Sequence, residues 1–155
     1  MTSSANPLGP VRPAVAADHA AWVRLFAAYA AFYEVAQTPE HRATVWGWIT
    51  DPDHDVKALI LTGNDGQPVG FAHYRPFALP LAASTGCFLD DLFIDSAHRG
   101  GGGVNLLLGA LRELARQNGW SVIRWITADD NYRARSVYDR VATRTSWITY
   151  DMDVG

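Results

Sequence analysis

The sequence predicts an α/β fold, a mixed central β-sheet flanked by helices, and three observations carry that reading. KALILT (57–62) and PVGFAHYRPF (68–77) are strand-like runs on either side of GNDG (63–66), a turn sequence that signals an antiparallel hairpin. CFLDDLFIDS (87–96), a helical pattern over 104–118 and SVIRWIT (121–127) have the length and order of a parallel βαβ crossover. Trp22, Leu25, Phe26, Tyr29, Phe32 and Tyr33 recur at three- and four-residue spacing, the period of a helix. A hairpin and a parallel crossover in one sheet make that sheet mixed.

The remaining elements follow in chain order. Residues 1–10 read as a loose tail and 11–155 as a single domain. VRPAV (11–15) is a short strand, and Asp18 falls in the first turn of the helix after it, where its charge suits the helix dipole. Thr38 caps a second helix with Pro39 in its first position, and that helix ends near Asp51-Pro52. Leu107, Leu111 and Leu114 share one side of the 104–118 helix, and Gly119 stands where a C-terminal glycine belongs. NYRARSVYDRVA (131–142) reads as a helix and TSWITYDMDV (145–154) as a last strand.

Composition narrows the function. With 155 residues, 48% of them apolar, the chain buries a real core. A net charge of −3 without a basic block argues against a nucleic-acid partner. The one cysteine, Cys87, forms no internal disulfide, which favours a reducing compartment. The start lacks signal-peptide features, and no apolar run approaches the ~20 residues that span a bilayer, so a cytoplasmic protein without a membrane partner is expected. The five histidines show no ligand spacing, so no metal is expected.

Gly100, Gly101, Gly102 and Gly103 stand where the 104–118 helix must begin. Each costs roughly 0.5–1 kcal/mol relative to alanine, so the run calls for a reason. A helix N-terminus offers unpaired N–H groups and partial positive charge, and glycines let an anion approach them. Two readings stay open: a flexible loop without a ligand, or a diphosphate cradle. Val104-Asn105 lacks the lysine and hydroxyl of a Walker A loop, and Asn105 replaces the third glycine of a dinucleotide fingerprint.

LDDLFIDSAHRGGGGVNLLLGAL resembles the acetyl-CoA-binding motif of the GNAT N-acetyltransferase superfamily, a strand followed by Arg/Gln-x-x-Gly-x-Gly/Ala and a helix. Arg99 to Val104 fits that pattern except at its last position. Asn131 to Tyr138 resembles the family's Asn-x-x-Ala-x-x-Phe-Tyr segment, VRPAVAADHAAW its opening and GFAHYRPF its third strand. The ending RARSVYDRVATRTSWITYDM looks most like the branch with yeast histone- and polyamine-acetylating enzymes, and LDDLFID resembles a segment of the diamine N-acetyltransferases.

The resemblance implies a GNAT fold and an acetyl-CoA-dependent enzyme acting on a primary amine of a small, cationic acceptor by direct attack. It places acetyl-CoA against Arg99, Gly100, Gly101, Gly102, Gly103, Val104 and Asn105, with Asn131, Arg133 and Ala134 contributing from the next helix. It assigns the oxyanion to backbone N–H groups at Leu92, Phe93 and Ile94, where the parallel strands splay around the pantetheine arm. Tyr138 becomes the general acid for the thiolate. Only about one lysine-like amine in a thousand is neutral near pH 7.4, so a proton acceptor helps.

Asp90 and Asp91 alternate to opposite faces of their strand, and Asp90 aligns with the diamine enzymes' glutamate, so Asp90 is chosen, as a base through ordered water or as an orienting charge. Tyr33 and Glu34 resemble a substrate-lining Tyr-Glu pair, which with Asp90 makes an acidic pocket. The family often forms dimers, so a homodimer joins the partners to expect. The alternative is a catalytically idle domain that binds acyl-CoA as a sensor or interaction module. Val104 stands where the family prefers Gly or Ala. The expectation is that Gly101 and Gly103 let the loop shift around it, in which case Val104→Gly tightens coenzyme A binding.

Overall fold

The computed structural model describes residues 7–155. β1 (Leu8–Pro13), β2 (Lys57–Gly63), β3 (Pro68–Leu79), β4 (Ser84–Ile94) and β5 (Ile123–Arg124) form one sheet in that order. β1 to β4 run antiparallel, while β4 and β5 pair in parallel at Cys87–Ile123 and Phe88–Arg124. α1 (His19–Phe32) and α2 (Pro39–Thr50) lie between β1 and β2 in the chain; α3 (Gly103–Asn118) makes the crossover and α4 (Tyr132–Val141) follows β5. This is the mixed sheet that the hairpin and the crossover predict. β1 starts at Leu8, inside the segment expected to be a tail, and residues 1–6 of that segment lie outside the described residues.

Local signals set the element ends as expected in several places. Thr38 Oγ1 accepts from the His41 N–H at 3.1 Å, with Pro39 in the first position of α2. Gly119 closes α3 at φ +68°.

Strand alternation sorts the core into two layers. Ala58, Ile60, Phe71 and Phe93 pack under α1 and α2 with Trp22, Leu25, Phe26 and Ile49. Leu59, Leu61, Ala72, Cys87, Leu89 and Ile94 pack under α3 with Leu107, Leu108 and Leu111. Each buried leucine, isoleucine or phenylalanine among them contributes on the order of 1.5–3 kcal/mol.

β4 breaks the alternation once. Cys87 and Leu89 belong to the α3 layer, whereas Phe93, also odd-numbered, belongs to the α1 layer. Tyr74 pairs with Leu89 and His73 with Asp91, so Asp90 is the extra residue of a bulge. The bulge turns the following residues over and bends β4.

Asp18 stands at the N-terminal end of α1, as expected, and the structure adds a paired cation to it. It is buried at 3% exposure and accepts from Arg12 Nη1 and Nη2 at 2.7 and 2.8 Å and from the Val15 N–H at 2.8 Å. A buried carboxylate at a helix start needs a paired cation as well as the dipole, and Arg12 ties β1 to the start of α1. No strand forms over 145–154: Trp147, Ile148, Tyr150, Met152 and Val154 are 72–95% exposed, because nothing among the described residues pairs with that segment.

Hydrogen bonding by Arg12 holds the Asp18 carboxyl below its usual range. Its contribution is therefore complete above the unfolded carboxylate value of about 4 and is lost as pH falls through the depressed folded value. Asp18→Asn should cost about 1–3 kcal/mol at pH 7 and much less in strong acid, as read by urea unfolding at both pH values.

Candidate active site

The glycine run resolves residue by residue. Gly100 and Gly102 adopt φ +83°, the left-handed region. Gly103 opens α3, and a Cβ there would stand 2.6 Å from Ile94 Cδ1 and 2.8 Å from Leu61 Cδ2. It lets the helix start press onto the sheet. Gly101 would make only an ordinary 3.4 Å contact with Leu8 and meets neither need. Gly102 provides no side-chain cap, so the N–H groups of Gly103, Val104 and Asn105 open into the loop without intrahelical partners.

Val104 is partly buried and packs against the α3-layer core. Of the two glycines expected to let the loop shift around it, Gly103 is taken up by close packing. Asn105 is exposed beside the mouth. Arg99 is held rather than free: its Nε donates to the Ile94 carbonyl at 3.1 Å, and its guanidinium lies 5.4 and 5.6 Å from the Phe93 and Phe32 ring centres.

Beyond Phe88, β4 and β5 no longer pair, and a gap opens between them. The Asp95 N–H donates to Val69 on the β3 side, so alternation turns the Leu92 and Ile94 N–H groups toward the gap. The same alternation turns the Phe93 N–H toward β3, where Phe93 pairs with Phe71. Phe93 therefore departs from the expectation of three oxyanion donors: two face the gap.

α4 borders that gap. Asn131 caps the helix, its Oδ1 accepting from the Ala134 N–H at 3.3 Å. Arg135 donates to the Asp129 carbonyl and lies over Tyr132. Arg133 is exposed in the first turn. Tyr138 is half-buried, 5.2 Å from the Trp125 ring, and burial followed by the proximity of Tyr33 pushes its phenol pKa up.

A cleft of about 720 Å³ lies between the end of α1, the bulge and the chain after β5; Tyr29, Tyr33, Asp90, Asp91, Ile126 and Thr127 are among its lining residues. Because of the bulge both carboxylates reach it, against the expected opposite faces. Tyr33 lines it. Glu34 does not: it is exposed, in a left-handed turn at φ +55° that ends α1.

Asp91 is tied into a chain of hydrogen bonds that sequence reasoning missed. Tyr29 donates to Asp91 Oδ1 at 2.8 Å, and His73 Nδ1 lies 2.9 Å from Asp91 Oδ2. Trp22 Nε1 donates to His73 Nε2 at 2.9 Å. An indole only donates, so Nε2 accepts and the imidazole proton sits on Nδ1, toward Asp91. A histidine inside the apolar run GFAHY was the available signal, since a buried polar side chain requires partners.

The two neighbours are pushed apart electrostatically. Burial raises Asp90, and its ion pair with Arg75, Nε to Oδ2 at 3.1 Å, offsets this only in part. Burial also pushes Asp91 up, but the hydrogen bonds from His73 and Tyr29 outweigh it, and Asp91 sits below the usual range.

The sequence profile of the acetyltransferase (GNAT) family matches residues 22–142, which include the α1 wall, the bulge, the glycine loop and Tyr138. The chain belongs to that family. It is an N-acetyltransferase of GNAT type. The D-amino-acid N-acetyltransferase HPA3 of Saccharomyces cerevisiae is 27% identical over 134 residues, covering 86% of this chain and 83% of the relative. The N-acetyltransferase YhfO of Bacillus subtilis is 30% identical over 130 residues, covering 84% and 86%. A ribosomal-protein-alanine N-acetyltransferase from Brucella melitensis superimposes with a TM-score of 0.79 at 21% identity, over 92% of this chain and 97% of that one. The aminoglycoside N-acetyltransferase AAC(6′)-Iy, solved with CoA, gives 0.80 at 15% identity, with 94% of each chain covered. These two likenesses show the shared GNAT fold. No helix among the described residues is long and apolar enough to cross a membrane.

Gly103→Ala should force Ile94 and Leu61 aside at a cost of about 1–3 kcal/mol. Val104→Gly should loosen the start of α3 by about 1 kcal/mol and should not tighten coenzyme A binding. Thermal unfolding and calorimetric titration with coenzyme A check both.

Proposed function

We propose that this GNAT enzyme moves an acetyl group from acetyl-CoA to the primary amine of a small cationic acceptor by direct attack. The carrying observation is the pair of carboxylates at the β4 bulge, facing one cleft where the β4–β5 gap begins, with pKa values driven in opposite directions. Such a split separates two roles. Asp91, locked ionised by His73 and Tyr29, holds the ammonium form of the acceptor. Asp90, whose pKa burial raises above its ordinary value, takes the proton through water.

The residues present fit acetyl-CoA. The uncapped first turn of α3 (Gly103, Val104, Asn105) offers N–H groups to its diphosphate, with open space beyond Gly100 and Gly102. Arg99 before the loop and Arg133 in the first turn of α4 add positive charge, and Asn131 with Ala134 shapes the start of α4. Acetyl-CoA supplies a thioester carbonyl open to a neutral amine. Leu92 and Ile94 N–H groups in the gap stabilise the negative charge that develops on the carbonyl oxygen. With one ammonium proton already passed through Asp90 to solvent, the N–C bond forms, the C–S bond breaks, the attacking nitrogen sheds its second proton toward the sulfur, and Tyr138 donates a hydrogen bond to that sulfur. A phenol with a raised pKa stays protonated but is a weaker acid than a thiol of about 8.5. Its contribution is therefore a hydrogen bond to the developing thiolate, completed by the proton the amine releases. Cys87 is fully buried, and burial with the nearby Asp90 charge pushes its thiol up to about 12, which suits direct transfer without an acetyl-cysteine stage.

One observation favours a second acceptor class. HPA3 is by name a D-amino-acid acetyltransferase, and the partly exposed Arg75–Asp90 pair could release Arg75 to an acceptor carboxylate. A panel of polyamines, other amines and D- and L-amino acids, read by thiol release from acetyl-CoA, separates the two; no turnover with any amine overturns the reading.

Tyr138→Phe should lower kcat about 100-fold while coenzyme A affinity holds, and unchanged turnover removes the tyrosine from the chemistry. In the free enzyme kcat/KM should rise with pH through an Asp90 value above the usual carboxylate range. Asp90→Asn should lower kcat by about 10²-fold or more near neutrality and recover as pH approaches the amine's own pKa. Asp91→Asn should act mainly on the KM of the amine.

A further inference from the structure

α1 and α2 cover only part of their side of the sheet. Phe71 packs beneath them and His73 bonds to Trp22, and alternation along β3 puts Arg75 and Phe77 on the same face. Pairing across the sheet brings Gly86, Phe88, Arg124 and Ile126 beside them. None of these side chains belongs to the layer packed under the two helices. They order one another instead. Phe77 meets Phe88 edge to face at 5.8 Å, and the Arg75 guanidinium lies 4.9 Å from the Phe88 ring centre. The Arg124 guanidinium lies 5.6 Å from the ring centre of Phe77. Gly86 makes room for this shelf: a Cβ there would stand 2.9 Å from Phe77 Cε1, so the ring lies down across β4.

The two guanidinium groups on the shelf are used differently. Arg75 Nε donates to Asp90 Oδ2 at 3.1 Å. Arg124 is exposed, and its guanidinium makes no hydrogen bond or ion pair among the described residues. Held over a ring, it keeps a fork of N–H donors that matches a carboxylate. The shelf leads directly into the acetyl-acceptor cleft. Asp90 follows Phe88 by two residues on β4, Ile126 follows Arg124 by two after β5, and both line the cleft. Ile126 is 66% exposed, an apolar step between the two regions. Two residues of strand are roughly 7 Å, and Arg124 reaches back toward Phe77, so its charge stands on the order of 10 Å from the cleft carboxylates.

We infer that Arg124, on the shelf of Phe77 and Phe88, binds a carboxylate at the far end of the acetyl acceptor and so sets its length and charge. The inference rests on the reading of Asp90 and Asp91 as the amine site. An acceptor that is cationic at its reacting amine and anionic roughly 10 Å away is complementary to an acidic cleft with a free guanidinium beyond it. Its middle crosses Phe88 and Ile126. A single α-amino acid is too short for this, because its carboxylate stays beside its amine and meets Arg75 instead. A diamine of the right length brings a second ammonium against Arg124, which like charge opposes. A peptide chain covers about 3.3–3.6 Å per residue, so a chain of about three residues spans the distance. Such an acceptor enters from the end where β4 and β5 still pair, opposite the glycine loop.

Alanine oligomers from the single amino acid to penta-alanine, each as free acid and as C-terminal amide, measure length and charge together. Thiol release from acetyl-CoA reads kcat/KM for each. The free acid should exceed its amide by about 10-fold at tri-alanine, and the advantage should shrink at the shorter lengths. Arg124→Gln, a change at an exposed side chain, should bring tri-alanine and its amide level, with the loss falling on KM. Equal rates for acid and amide at every length, while amines are still acetylated, remove the carboxylate subsite and leave the amine site standing. An acid preference that survives Arg124→Gln gives the carboxylate to Arg75 and likewise overturns the inference. Turnover of no amine at all overturns the amine reading, and this inference with it.

Discussion

One extra residue in β4 controls the geometry of everything around the cleft. With Asp90 unpaired in the ladder, the residues after it face the opposite layer from the one continuous alternation would give them, and the strand bends. Phe93 then enters the α1 layer while Ile94 packs under α3. The same bend carries β4 away from β5, so the N–H groups of Leu92 and Ile94 meet open space where a regular sheet would pair them. Pairing of β4 and β5 at only Cys87 and Phe88 follows from this departure.

The bulge would be costly without something to hold it, and the chain from Trp22 through His73 to Asp91 and Tyr29 does so. It runs from a fully buried indole to a carboxylate at the edge of the cleft, and each donor meets an acceptor. Satisfied networks of this kind are rigid because any rotation leaves a buried polar group without a partner. Asp91 is thereby fixed in position and kept ionised, while Asp90, one residue away, faces Arg75 near the surface and is shifted the other way by burial. Adjacent carboxylates acquire different chemistry because one belongs to the interior network and the other does not.

The opposite end of the gap rests on close packing. Gly103 brings the first turn of α3 against Ile94 and Leu61, which places its free amides at the end of the strand that carries the carboxylates. Val104 contributes to that packing from the partly buried side. Uncapped helix amides, gap and acidic cleft thus lie in sequence along one strand, the order that the proposed transfer from a long thioester substrate to an amine calls for.

Local rules were enough to read much of this in the sequence. The GNDG hairpin, the Thr38-Pro39 helix start, the Gly119 stop, the leucine side of α3 and the glycine loop all depend on neighbours a few residues apart, and each stands in the structure where its pattern put it. The GNAT motif itself is such a local pattern. What required the tertiary structure was every feature that depends on contacts between distant segments. Alternation alone sent Asp90 and Asp91 to opposite faces, since a bulge is defined by the register of two strands and has no fixed sequence mark. Glu34 left the cleft because the turn ending α1 points it to solvent, and the pairing of Asp18 with Arg12, on β1, has no local mark in the sequence. His73 read as one polar residue in an apolar run until Trp22 and Asp91 closed around it. The alternating pattern of 145–154 was legible as strand-forming, yet a strand exists only with a partner, and partnership is decided in three dimensions.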